Sequence, residues 1–360
     1  MRNIYIYLLM LLLLASCKDD FNINDIKDAP RLVVYCFPST ADTTFIQIWR
    51  SVPVRNGAVD ADSLAVASVD AHIVYKVNGQ ACQVMPTTNN ACAAYYVLGH
   101  QKAGDKIELE ASADGCHTAT ASTQIPNAVP VDLKSVKMVH IVNSDGESSR
   151  YNQAAATFMA QKPHNDYYAV RVRTKNFLGQ ATGTGMLYGR QQTQTYMNYN
   201  EYIDALSERP ELKEWTWTLT KTDSTYVYPS INTDSEPLLN GITEIDSDFG
   251  FSMDFYQNCY IFNAASVSGR SYTLHLNVDD YWISQYTSGW QMLYPKEYQV
   301  ELYHVTPTYY RFLKSINDAR NNDWAKVGLR QIAPAYSNVA GGLGVLAGYN
   351  ASVSDPMTEE

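Results

Sequence analysis

Chemistry-bearing motifs are what this chain lacks. It has no Cys-x-x-Cys pair and no Cys/His spacing of the zinc kind, so no structural metal site is expected. None of the seven histidines (His72, His100, His117, His140, His164, His275 and His304) sits in His-Glu-x-x-His or beside an acid at ligand spacing, which leaves them as strand or loop residues. No Gly-x-Ser-x-Gly elbow activates a serine. Two acidic pairs, Asp279-Asp280 and Asp246-Ser247-Asp248, are of the type that serves glycosidases or binds calcium. The first reads as the end of a strand, and the second is shorter than a calcium loop and has no distant Glu. The glycines of residues 341–348 superficially resemble a nucleotide loop, but only twelve residues follow Gly348, too few for a βαβ unit. They fit a close-packed or bulged terminal strand instead. No catalytic residue, no metal and no cofactor is expected.

Charge and long apolar runs are scarce as well. Charged residues are 18% of the chain and the net charge is −10, which argues against nucleic acid or an anionic surface as partner. At 46% apolar, most of the chain has enough to bury for a folded state. The apolar run Ile4 to Leu14 is too brief to span a bilayer and has the length of an export signal's core, with Arg2 as its positive start. Leu14-Ala15-Ser16-Cys17 closes it, with two small residues for a peptidase and a thiol for a thioether-linked lipid. This resembles the lipobox of bacterial lipoproteins; the alternative is an ordinary signal peptide followed by a chance cysteine. Lys18-Asp19-Asp20 then resembles the tag that carries Bacteroidota lipoproteins to the outer face of the outer membrane, or is simply a polar tether. A triacyl anchor of the kind that resemblance implies holds essentially permanently, where one chain binds marginally. The expected location is the outer membrane, lipid-anchored and facing the exterior.

What is abundant is aromatic: 27 Tyr, 10 Phe and 6 Trp, residues that favour strands and also serve as binding anchors. The fold class expected is mainly β. Residues 1–16 are the signal, 17–30 the tether, 31–126 an immunoglobulin-like β-sandwich, and 131–353 a larger antiparallel β-rich domain with one or two short helices. In the first, strands are expected at 31–37, 43–50, 71–77, 81–85, 94–98, 106–111 and 116–122, with Asn78-Gly79 as a hairpin turn because both its positions need φ > 0. In the second, strands are expected at 131–142, 154–160, 167–174, 215–222, 271–278 and 297–305, and helices at 199–207 and 308–321. The six cysteines are Cys17, Cys36, Cys82, Cys92, Cys116 and Cys259; setting Cys17 aside leaves an odd number in an oxidising compartment, so at least one thiol is free or pairs with another chain. Cys82 and Cys92 flank a polar run and either bridge a hairpin or remain buried thiols.

One stretch reads as a candidate ligand face. Between Tyr188 and Tyr228 the rings of Tyr196, Tyr199, Tyr202, Trp215 and Trp217 mix with amides such as Gln191 and Gln192 at low net charge. Rings supply contact area at small entropic cost and amides read hydroxyl or peptide groups, which suits a neutral ligand. The alternative is that Trp215 and Trp217 share one face of a buried strand while the tyrosines pack on loops.

Several patterns together resemble a known family. Arg31-Leu32-Val33-Val34 after a lipidated tether, the hairpin carrying residues 71–77 and the Asp114-Gly115 turn are similar to the first part of the DUF4249 lipoproteins of Bacteroidota. Tyr309-Tyr310-Arg311-Phe312-Leu313, Ser337-Asn338-Val339 and Gly344 through Tyr349 are similar to the last part, although Asn350 stands where an aromatic is common. The resemblance implies a surface or periplasmic outer-membrane lipoprotein, often encoded near TonB-dependent receptors, with no established activity and no catalytic residue to carry over. The function expected is therefore a non-catalytic accessory of a TonB-dependent uptake system, capturing a neutral ligand or docking on the receptor. The alternative is a structural or adhesive surface lipoprotein.

Overall fold

The computed structural model describes residues 30–51, 69–87, 94–99, 101–142, 146, 148–161, 166–239, 259–279, 289–320 and 335–360. Cys17, Lys18, Asp19, Asp20 and Cys92 lie outside them. The chain is mainly β, with two α-helices among the described residues.

The first body holds β1 (Leu32–Cys36), β2 (Thr43–Arg50), β3 (His72–Val77), β4 (Gln80–Cys82), β5 (Val84–Pro86), β6 (Ala94–Leu98), β7 (Lys106–Ser112) and β8 (Ala119–Gln124). They form two facing sheets, one in the order β1-β2-β6-β5 and one in the order β4-β3-β7-β8. Alternation places Leu32, Val34, Ile46, Ile48 and Val97 of one sheet against Tyr75, Ile107, Leu109 and Ala111 of the other in a shared core. Each large side chain fully buried there contributes roughly 1.5–3 kcal/mol. Asn78 and Gly79 turn with φ of 51° and 80°, as an Asn-Gly hairpin requires. The Asn78 side chain adds its own bonds, donating to Asp105 Oδ1 at 2.8 Å and accepting from the Lys106 N–H at 2.9 Å. The single strand expected at 81–85 is two strands. The chain leaves one sheet after Cys82 and enters the other at Val84, so β4 pairs with β3 and β5 with β6.

The second body holds β9 (Val131–Val142), β10 (Ser148–Met159), β11 (Tyr167–Leu187), β12 (Arg190–Tyr196), α1 (Tyr199–Glu208), β13 (Thr216–Val227), β14 (Ser230–Asn232), β15 (Tyr260–Asn263), β16 (Ser271–Asp279), β17 (Glu297–Val305), α2 (Pro307–Arg320), β19 (Tyr349–Val353) and β20 (Met357–Thr358), while β18 (Leu343–Leu346), between α2 and β19, joins the first body's sheet. One sheet runs β14-β16-β10-β9 and the other β12-β11-β17-β19, with β13 and β15 also on β11 and β20 on β17. Phe158, Leu274 and Leu276 of the first pack against Tyr168, Val170, Val172, Val300 and Leu302 of the second. The strand expected at 167–174 continues to Leu187, and β12 had no sequence signal. The glycines Gly179, Gly183 and Gly185 weaken strand propensity where the sheet in fact persists.

Two features join the bodies. Along α2, Tyr309, Phe312, Leu313 and Ile316 recur at helical spacing and are buried against Phe37 of the first body and Ala169, Ile261 and Tyr303 of the second. Phe37 and Tyr309 stack with centroids 4.7 Å apart. Residues 343–346, from within the 131–353 segment, form β18 and pair in parallel with β1, completing the first sheet as β18-β1-β2-β6-β5. Gly344 sits opposite Val34 at φ +98°, and a Cβ there would run into the Val34 carbonyl oxygen. Close backbone approach is what those terminal glycines serve.

Candidate functional site

The aromatic stretch folds as a three-stranded ribbon that outruns the main sheet. β11 pairs with β17 only from Tyr167 to Lys175, with β13 from Thr174 to Thr184 and with β12 from Ala181 to Leu187. Residues 176–187 therefore carry the ribbon about 40 Å beyond the last β17 pair, at ~3.3 Å per residue. On one face of β11 the side chains shrink to Gly179, Ala181, Gly183 and Gly185. Three indoles lie on this bare backbone: Trp290 over Gly179, Trp217 over Gly183 and Trp215 over Gly185. An added Cβ would stand 2.7 Å from the Trp290 ring at Gly179 and 2.7 Å from the Trp217 ring at Gly183. α1 crosses above them. Its N-cap Asn198 accepts from the Asn200 N–H at 2.9 Å, and Tyr202 on its inner side is buried with Ala181 and Trp290.

All five aromatic residues singled out from the sequence meet in this cluster. Tyr202 lies 4.9 Å from Trp217, 5.9 Å from Tyr199 and 6.3 Å from Tyr196, and Trp215 stacks on Trp217 at 6.2 Å and 21°. Tyr202 and Trp215 are buried, whereas Tyr196, Tyr199 and Trp217 are half-buried. Burial, and secondarily Tyr199, pushes the Tyr202 phenol above its ordinary range. Trp217 Nε1 donates to the Leu212 carbonyl at 2.8 Å and Trp290 Nε1 to that of Met197 at 2.9 Å, but the buried Trp215 Nε1 has no partner among the described residues. The rings thus face each other and the strand backbone, forming a core private to the ribbon. Trp290 and the three glycines were not picked out from the sequence; the signal that could have found them is Gly-x-x-x-Gly-x-Gly inside a strand pattern, which marks close approach.

What the ribbon presents outward is its tip and its other face. The β11–β12 turn is Tyr188-Gly189, with φ of 50° and 72°. Tyr188 is 91% exposed, with Met186 at 63% and Met197 at 56%. A tyrosine in the left-handed region is strained, and contacts that would offset the strain are lost when the side chain stands in solvent. The opposite face carries Thr182 and Thr184 of β11 beside threonines of both neighbours.

The buried titratable groups form closed knots. Asp166 accepts from the Tyr168 hydroxyl, from the Gln161 N–H at 2.7 Å and from His304 Nε2 at 2.8 Å, while His304 Nδ1 sits 2.7 Å from the Asn127 carbonyl oxygen. Burial alone would raise this carboxyl, but the hydrogen bonds from His304 and Tyr168 and the His304 charge hold it below its ordinary value. Glu301 takes Arg171 Nε and the Tyr303 hydroxyl, both at 2.6 Å, and Arg173 at 3.2 Å. Glu236 accepts from the Tyr272 hydroxyl at 2.7 Å and the His275 N–H at 2.8 Å; burial first, and then this bond, push the Tyr272 phenol up to about 12. These groups satisfy one another, save for Arg173 Nε, which is buried with no hydrogen-bond partner among the described residues. Cys82 Sγ lies 3.9 Å from the Gln80 carbonyl oxygen, its proposed partner being outside the described residues. Among the described residues no three His, Cys, Asp or Glu side chains are grouped to hold a metal ion. No described helix is long and apolar enough to cross a membrane.

A family model described as a domain of unknown function, DUF4249, matches residues 18–355. No curated protein and no solved structure matches the chain.

Proposed function

The chain belongs to the DUF4249 family, and from that premise we propose that it is a non-catalytic lipoprotein, anchored through Cys17 to the outer membrane and facing the exterior. Its role is to capture a neutral ligand or dock for a TonB-dependent uptake system. The observation that carries this reading is the ribbon. It is an arm stiffened by its own aromatic core, with Met186 and a strained Tyr188 exposed at its tip. Exposed apolar anchors on a rigid element are what a partner surface needs, and backbone strain retained without an internal contact points to a use outside the fold. We read the first body as immunoglobulin-like. Lettered in chain order, its sheets run A-B-E-D and C′-C-F-G, the order of that fold, which supports a module holding the larger body away from its tether.

The test is a pull-down of the full lipoprotein from membranes in mild detergent, beside a fractionation of Cys17→Ala. A co-purifying β-barrel receptor and release of Cys17→Ala from the membrane fraction are the expected results. A Cys17→Ala variant that still partitions into detergent removes the anchor. Recovery of assembled fibres with no barrel assigns the structural or adhesive role instead.

A further inference from the structure

The face of the ribbon turned away from the indoles is a register of threonines. Thr184 is paired with Thr193 of β12 on one side and Thr216 of β13 on the other; Thr182 is paired likewise with Thr195 and Thr218. Directly paired residues in antiparallel strands point to the same face, so the six form two straight rows of three. The rows are ~7 Å apart along the strands, with ~4.8 Å between neighbours in a row. All but the half-buried Thr182 are exposed, and the one bond among them is Thr182 Oγ1 to Thr195 Oγ1 at 3.2 Å. Thr220, Gln180, Met186 and Gln191 flank the rows on the same face, so no charge falls on it.

Threonine is a good strand former, and that alone would place some here. It does not explain the missing charge. β12 and β13 are edge strands among the described residues, and edge strands ordinarily carry Lys or Glu to deter association. In a chain of net charge −10 with 37 acidic residues, a face without one suits a neutral occupant. A second copy of the chain is too large an occupant for it. The face spans roughly 10 Å by 20 Å, on the order of 200 Å², against about 800 Å² per partner for a stable protein interface. A narrow neutral polymer fits the area.

We propose that this threonine face binds a neutral polysaccharide. Its hydroxyls exchange hydrogen bonds with the threonine Oγ1 atoms, and the threonine methyls cover the C–H faces of the sugars. The inference rests on the capture role above and names the ligand class. The full-length protein, in detergent, is run through native gels cast with amylose, laminarin or galactomannan, beside the double variant Thr182→Val/Thr218→Val and the control Thr225→Val. Valine keeps the β-branched shape and removes the hydroxyl, so the melting temperature serves as a folding check. Expected is retardation by at least one polysaccharide, weakened at least tenfold in the double variant and unchanged in the control. Retardation by none of the three, or equal retardation of the double variant, overturns the proposal. So does a concentration-dependent dimer in sedimentation that the double variant abolishes, which gives the face to a second copy. No receptor or membrane enters this assay, so its failure is separable from failure of the membrane pull-down.

Discussion

At the scale of single residues, two tight hairpin turns among the described residues make an internal comparison. Asn78 and Tyr188 both take positive φ before a glycine, but Asn78 uses its side chain on the neighbouring loop while Tyr188 stands in solvent. Left-handed backbone costs an ordinary side chain roughly 1–2 kcal/mol, and Asn much less. Tyr188→Asn is therefore expected to raise stability by about 1 kcal/mol in denaturant unfolding while reducing recovery of the receptor in the membrane pull-down. A loss of stability, or undiminished recovery, would remove the tip from the docking surface. The contrast also says what could be read in advance. Asn78-Gly79 was legible because both residues announce the turn, whereas Tyr188 belongs to a type that favours strands. The five aromatic residues were legible as a group, and Trp290 was not, because it arrives from about seventy residues further on.

At the scale of elements, β2, β6, β9 and β17 span the residues their alternation predicts, and α2 differs from its predicted range by one residue at each end. Each of these has a partner face that matches its own pattern. What escaped owes its form to something distant. β12 is held by pairing with β11, and β18, though its glycines fit a close-packed strand, takes as its partner a strand about three hundred residues earlier. Gly344 is the position where that dependence is sharpest. Gly344→Ala puts a methyl against the Val34 carbonyl oxygen at a φ of +98°, and the expected outcome is a loss of about 2–4 kcal/mol with the first body opening first. Hydrogen exchange checks this: β1 amides should lose protection in the variant before those of β10. Equal loss in both would mean that the two bodies unfold as one.

At the scale of the whole molecule, the joint between the bodies has a polar part beside the apolar one that α2 makes. His304 reaches the linker carbonyl of Asn127 and the buried Asp166 together, and Asn350 Nδ2 donates to the Pro126 carbonyl at 3.1 Å. Because the Asp166 carboxyl is held below its unfolded value of about 3.9, its contribution is complete above that pH and is lost as pH falls through the folded value. Melting temperatures recorded from pH 6 down to pH 2 should fall below about pH 4, and Asp166→Asn should flatten part of that fall. An unchanged slope in the variant would place acid sensitivity elsewhere. The crossing of β18 was not legible, since no local pattern reports a pairing of that range.

That crossing sets a timetable. A polypeptide that emerges amino end first delivers β1 at once and its parallel neighbour only after nearly the whole length has followed. Until then the outer margin of β1 stays bare, inviting strands from other molecules during synthesis. Completion of the first module thus waits on synthesis of nearly the whole chain, and a molecule clipped short of residue 343 remains marked by an open seam.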